Sequence, residues 1–161
     1  MGGMVLINDW TDPKPLLTFQ NQSQDCAEYE PGQFFKRELP VLLDLLRMAT
    51  EPIDHVIVDA HVDLGPDLPG LGRYLFEALD RNANVIGVAK SRYRDSNFAE
   101  TVLRGGSIRP LFVTAAGIGS TQAASHIATM HGEYRIPDMI KLADSIARGN
   151  IRNPADDSDQ D

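Results

Sequence analysis

Two short apolar runs, His55-Val56-Ile57-Val58 and Asn84-Val85-Ile86-Gly87-Val88-Ala89, are rich in β-branched residues and end on polar or charged groups. The first runs into Asp59-Ala60-His61 and the second into Lys90-Ser91. Continuous apolar runs of this length read as strands buried on both faces, the habit of parallel sheets. Between them, Leu68-Pro69-Gly70-Leu71-Gly72 opens a helix from Arg73 to Leu79 with Tyr74, Leu75, Ala78 and Leu79 on one face. The pattern predicts a βαβ unit, whose functional residues belong at the carboxyl ends of its strands.

The rest of the chain packs on that unit. Met4 to Ile7 reads as a strand, residues 8–15 as a turn, and Leu16 to about Gln20 as a second strand returning antiparallel. Leu39, Leu42, Leu43, Leu45, Leu46 and Met48 outline an amphipathic helix with Pro40 in its first turn, stopped near Thr50 because Pro52 cannot continue it. Asn97 to Leu103 is a short helical candidate ended by Gly105-Gly106. The next strand is Pro110 to Thr114. The turn Gly117-Ile118-Gly119 then leads into a helix with Ala123, Ala124, Ile127 and Ala128 on its buried side and Ser120 or Thr121 as N-cap. A closing helix from Asp138 to Arg148 stops at Gly149. These elements predict an α/β fold: a mixed sheet with an antiparallel N-terminal hairpin followed by parallel βαβ crossovers, with helices on both faces. One domain is expected over residues 1–150, with a disordered acidic tail over 151–161.

Composition narrows the classes. With 161 residues, 42% of them hydrophobic, the chain has material for one ordinary core. No stretch is apolar enough to span a membrane, and no charged segment followed by an apolar one precedes the fold. A cytoplasmic location is expected. The single cysteine, Cys26, excludes an internal disulfide framework and a cysteine-based zinc site. A net charge of −8 disfavours broad electrostatic capture of nucleic acid, although Asp156, Asp157, Asp159 and Asp161 in the tail supply part of it.

The candidate chemistry lies in Glu38, Asp59, His61 and Lys90. An ionised carboxylate at a buried strand end needs partners, which favours a site at Asp59. Glu38 suits a metal, with a favourable helix start through the macrodipole as the other reading. His61 reads as a ligand or as a satisfied structural group, and Lys90 as a phosphate-directed cation or a solvated strand end. The turn from Gly117 to Ser120 offers helix amides to an anion, although such strand-to-helix turns occur throughout α/β folds for purely structural reasons. His126 and His131 read as surface or packing residues.

Several blocks in register then become recognisable. Tyr29-Glu30-Pro31-Gly32, Phe35-Lys36-Arg37-Glu38, Val58-Asp59-Ala60-His61, Ile86-Gly87-Val88-Ala89-Lys90-Ser91, Pro110-Leu111-Phe112-Val113, Tyr134-Arg135-Ile136-Pro137 and Leu142-Ala143-Asp144 together resemble the endonuclease V family over roughly residues 4–149. The resemblance implies a ribonuclease-H-like fold and metal-assisted phosphodiester cleavage near a deaminated base, inosine, in the DNA-repair class. It implies that Glu38 and Asp59 hold Mg²⁺, or Mn²⁺ in its place, and that Lys90 stands near the scissile phosphate. Tyr29, Pro31 and Gly32 match the wedge that fills the gap left by an extruded base, with His61, Gly117 and Ser120 as further nucleic-acid contacts.

Departures from the family pattern are specific. A family strand carrying another metal-binding aspartate precedes the hairpin, and this chain starts at what matches the second strand. Asp9 is one substitute for that aspartate. Where the family has Gly-His-Arg after the strand at Pro110, this chain has Ala116-Gly117-Ile118. After Asp59, acids at Asp63 and Asp67 replace basic residues. Two readings follow: a nuclease whose degenerate metal site recruits Asp63 or Asp67, and a non-catalytic relative kept as a binding protein. With its first strand missing, Met4 to Ile7 becomes an exposed edge, so a homodimer is expected.

Overall fold

The computed structural model describes residues 1–22 and 34–150. Tyr29, Pro31, Gly32, Cys26 and the acidic tail lie outside the described residues. The elements are β1 (Gly2–Leu6), β2 (Leu17–Asn21), α1 (Phe34–Met48), β3 (His55–Val58), β4 (Asp63–Gly65), β5 (Leu68–Pro69), α2 (Leu71–Ala78), β6 (Asn84–Ala89), β7 (Glu100–Val102), β8 (Leu111–Ala116), α3 (Ser120–Thr129) and α4 (Asp138–Ala147).

A four-stranded mixed sheet runs in the order β3-β6-β8-β7. Its one parallel pair is β3 with β6, with Val58 opposite Gly87. The expected second parallel crossover is absent, because β8 enters antiparallel to β6, with Val85 opposite Ala116. The reason is β7. The segment expected to form a helix from Asn97 to Leu103 instead contributes Glu100–Val102 to the sheet edge, paired antiparallel with β8. After that excursion the chain re-enters the sheet beside the exit of β6, with Ala89 opposite Phe112, not from the far end that a parallel crossover would reach.

Alternation along β6 builds two cores. Val85 joins Val58, Val62, Leu75, Phe76 and Ala116, a cluster extended by Leu39, Leu42, Leu43 and Leu46 of α1. Ile86 and Val88 point the other way, into Leu111, Val113, Ala123, Ile127 and Met139. Helices therefore cover both faces, α1 and α2 on one and α3 and α4 on the other.

The hairpin β1–β2 forms its own two-stranded sheet, Met4 opposite Phe19. It fits between two helices because β1 starts with glycines. A Cβ at Gly3 would lie 2.5 Å from the backbone nitrogen of Ala147, and one at Gly2 2.8 Å from the Leu45 side chain. Val5, Ile7 and Trp10 pack on the Ile86–Ile127 core, and Trp10 stacks on His126 with ring centroids 4.4 Å apart, 5.2 Å from His55.

Helix α1 starts earlier than its leucines suggest. Pro40 is therefore inside the helix rather than in its first turn, and Glu38 is in the second turn, beyond the first where the macrodipole acts most. Asp9 is used by the turn after β1, where its carboxylate accepts from the amide and hydroxyl of Thr11 at 3.0 and 2.9 Å.

Candidate functional site

Because β3 and β6 are parallel, Asp59 and Lys90 follow the carboxyl ends of neighbouring strands at one edge of the sheet, and both are exposed. Among the described residues the Asp59 carboxylate accepts no hydrogen bond. Beyond Asp59 the chain turns sharply across β6. This crossing needs Gly87: a Cβ there would press into the carbonyl of Ala60 and lie 2.8 Å from the Val62 nitrogen and from Thr114 Oγ1. The buried Val62 amide donates to that Oγ1 at 2.8 Å. A lone glycine inside an apolar strand is the sequence signal for such an approach; Thr114 gave none, since threonine is an ordinary strand residue.

The crossing chain then forms the β4–β5 hairpin and feeds α2. Gly70 and Gly72 donate their amides to the carbonyls of Val62 and His61 at 2.8 and 3.2 Å. Asp63 is engaged by Arg73 through both carboxylate oxygens, at 3.1 and 2.8 Å. Those hydrogen bonds hold the Arg73 guanidinium above its ordinary pKa, against a smaller lowering by burial. Asp63 is therefore tied up in a charge pair, while Asp67 is exposed at the hairpin tip with φ 55°.

The main chain around Lys90 is held from two sides. His61 Nε2 lies 3.1 Å from the carbonyl oxygen of Ser91. A carbonyl only accepts, so this contact requires the hydrogen on Nε2 and leaves Nδ1 as the acceptor nitrogen of the neutral ring. From the loop before α4, Arg135 donates Nη2 to the carbonyls of Lys90 at 2.6 Å and Pro110 at 2.8 Å, and Nε to that of Arg109 at 3.0 Å. The sequence marked Arg135 as part of a motif without assigning it work.

Glu38 is half-buried on α1. Its neighbour Leu39 packs in the apolar cluster that also holds Val58 and Ala60, and Phe35 stacks on Tyr74 of α2 at 3.8 Å. Among the described residues no group of three or more His, Cys, Asp or Glu side chains converges on a point that could hold a metal ion.

Gly117 and Ser120 are not brought to this edge. Since β8 runs antiparallel to β6, the turn after Ala116 lies beside Asn84, at the opposite end of the sheet from Lys90. Gly117 has φ 82°, and Gly119 caps α3 in place of Ser120 or Thr121, with no side-chain cap. Thr121 reaches Glu100 at 3.4 Å instead. His131 pairs with Asp138 at 3.0 Å.

No family model matches the chain. It is 27% identical over 162 aligned positions to Endonuclease V from Xanthomonas oryzae pv. oryzae, covering 88% of this chain and 67% of that protein. The Endonuclease V of Xanthomonas axonopodis pv. citri is likewise 27% identical, with 88% and 68% covered. Its fold matches Endonuclease V from Streptomyces avermitilis with TM-score 0.64 and 25% identity, over 76% of this chain and 61% of that one.

The chain is similar to endonuclease V proteins in both sequence and fold.

The catalytic domain of human Endonuclease V shares the fold with TM-score 0.69 at 22% identity, over 86% of this chain and 70% of that domain. Against these endonuclease V proteins the chain spans about two thirds of the curated relatives' length and 61% of the Streptomyces structure. The mixed α/β architecture with four helices is thus the endonuclease V one.

Proposed function

We propose that this chain is a nuclease of the endonuclease V type, acting on inosine-containing nucleic acid in DNA repair in the cytoplasm. The observation that carries the reading is the placement of Asp59 and Lys90, an exposed acid and an exposed cation, after the carboxyl ends of adjacent parallel strands. Lys90, Arg92 and Arg94 put three cations within five residues of that edge, a local exception on a chain of net charge −8. Local positive charge is what a phosphate backbone requires. Among the described residues no helix is long and apolar enough to cross a membrane.

The donor chemistry of Glu38 and Asp59 fits Mg²⁺, with Mn²⁺ as its substitute. Glu38 and Asp59 offer hard carboxylate oxygens, and Mg²⁺ is commonly held by one or two carboxylates, with water and substrate phosphate completing the shell. When bound there, the ion supplies Lewis acidity toward the phosphate and lowers the pKa of water. Lys90 supplies a point charge against the negative charge of the phosphate. His61 and Arg135 hold the main chain that carries Lys90. Tyr29, Pro31 and Gly32 are the proposed wedge. The degeneracy read from the missing family aspartate and histidine is not offset by Asp63, which is held by Arg73. That ion pair favours a second reading, a relative that binds nucleic acid without cleaving it.

Cleavage of single-stranded DNA and RNA carrying one inosine, in Mg²⁺ and then Mn²⁺, tests both readings beside a Glu38→Ala, Asp59→Ala double variant. Scission next to the inosine that the double variant lacks supports the nuclease. Binding without scission supports the second reading, and neither binding nor scission overturns both. The proposal extends to a homodimer through β1, which is hydrogen-bonded to β2 along one edge; a strict monomer in concentrated sedimentation runs counts against it.

A further inference from the structure

We propose that Arg135 is a positioning residue that, together with His61, clamps the end of β6 and so fixes where Lys90 is presented; the consequence for nucleic acid rests on the function proposed above. A strand end is ordinarily free to fray. Here two successive carbonyls, those of Lys90 and Ser91, each accept from a side chain delivered by a different part of the fold. Arg135 comes from the loop between α3 and α4, and His61 from the crossing segment after β3. The same guanidinium holds the carbonyls of Arg109 and Pro110, so the exit of β6 and the entry of β8 are tied to one rigid planar group.

The loop that carries Arg135 is itself anchored. Arg104, buried at the end of β7, donates Nη2 to the carbonyls of Met130 at 2.7 Å and Gly132 at 3.2 Å. Gly105, at φ 61°, lets that turn lie against residues 133 and 134, where a Cβ would meet the carbonyl of Glu133 at 2.5 Å. Ile136 packs on the Ile86–Ile127 core and Pro137 is fully buried. Arg135 thus extends from a fixed base, and a fixed base is what a positioning side chain needs. A lysine has one ammonium on a flexible stem and cannot span three carbonyls as a planar guanidinium does.

The test uses the full chain with Arg135→Lys, and His61→Phe, which keeps a ring but has no donor, as a second variant that releases Ser91 rather than Lys90. Amide hydrogen exchange at the carboxyl end of β6, Val88 to Lys90, is expected to rise about tenfold or more in each variant, with exchange in α3 and α4 unchanged. Unchanged exchange at Val88 to Lys90 in a folded Arg135→Lys chain overturns the clamp. Affinity for a single-stranded inosine oligonucleotide, measured across a cycle with Lys90→Ala, gives the second readout. Arg135→Lys is expected to weaken binding several-fold when Lys90 is present and to add nothing once Lys90 is gone. Full additivity of the two losses overturns action through Lys90. A chain that binds no oligonucleotide while its exchange responds as expected overturns the nucleic-acid reading and leaves the clamp supported.

Discussion

The amide of Val62 and the hydroxyl of Thr114 meet over Gly87, 2.8 Å apart and buried. This bond fixes the crossing that delivers Asp59 on one side and the β4–β5 hairpin on the other. Thr114→Val keeps the shape and removes the acceptor, leaving a buried N–H without a partner. A loss of about 1–3 kcal/mol in urea unfolding is expected. Gly87→Ala is expected to be more damaging, because its methyl group meets the backbone of Ala60 and Val62, which has no room to move.

Asp63 and Arg73 make a two-pronged pair with side chains 18% and 32% exposed. Partial exposure holds its worth to about 1 kcal/mol. Asp63→Asn is expected to lower the thermal midpoint modestly and leave Mn²⁺ affinity unchanged in calorimetric titration. Asp59→Asn is expected to do the reverse.

Asp9 titrates low. The Thr11 amide is the larger cause and its hydroxyl the smaller, and together they hold the carboxyl below the ordinary 3.8. A folded pKa below the unfolded one means that the turn's contribution is complete above the unfolded value and is lost as pH falls through the folded one. A carbon-13 titration is expected to show an Asp9 midpoint under 3.8. Thr11→Val, which keeps the amide, is expected to return it only part of the way.

Pro40 is exposed inside α1. It lacks an amide for the helix ladder and its ring crowds the preceding turn, a penalty of about 3 kcal/mol in a helix interior. Pro40→Ala is expected to raise the stability of the chain by about 1–3 kcal/mol in thermal or urea unfolding.

The strands at His55–Val58 and Asn84–Ala89 were legible because their β-branched runs have sharp polar ends, and α4 because Gly149 stops it. Asp59 and Lys90 were legible for the same reason, as charges where an apolar run ends. β7 was not. Phe98 to Leu103 suits a helix or a strand locally, and pairing with β8 decides between them. The direction of β8 follows from that pairing, so the edge to which Gly117 and Ser120 belong was hidden too. Asp63 is separated from its partner Arg73 by a hairpin whose strands are three and two residues long, too short for periodicity to reveal. Arg135 works on carbonyls of residues 90, 109 and 110, a relation only the folded chain contains.

The hairpin β1–β2 and the four-stranded sheet share no ladder among the described residues. What joins them is side chains: Val5 and Ile7 on the core, and Trp10 between His126 and His55. A joint without main-chain hydrogen bonds is a seam, along which a fold can part before either piece melts. The chain's single tryptophan stands on that seam, so its emission is expected to change at lower denaturant than the circular dichroism of the helices. What looks like one α/β domain would then come apart as two mechanical units, with Trp10 as the rivet.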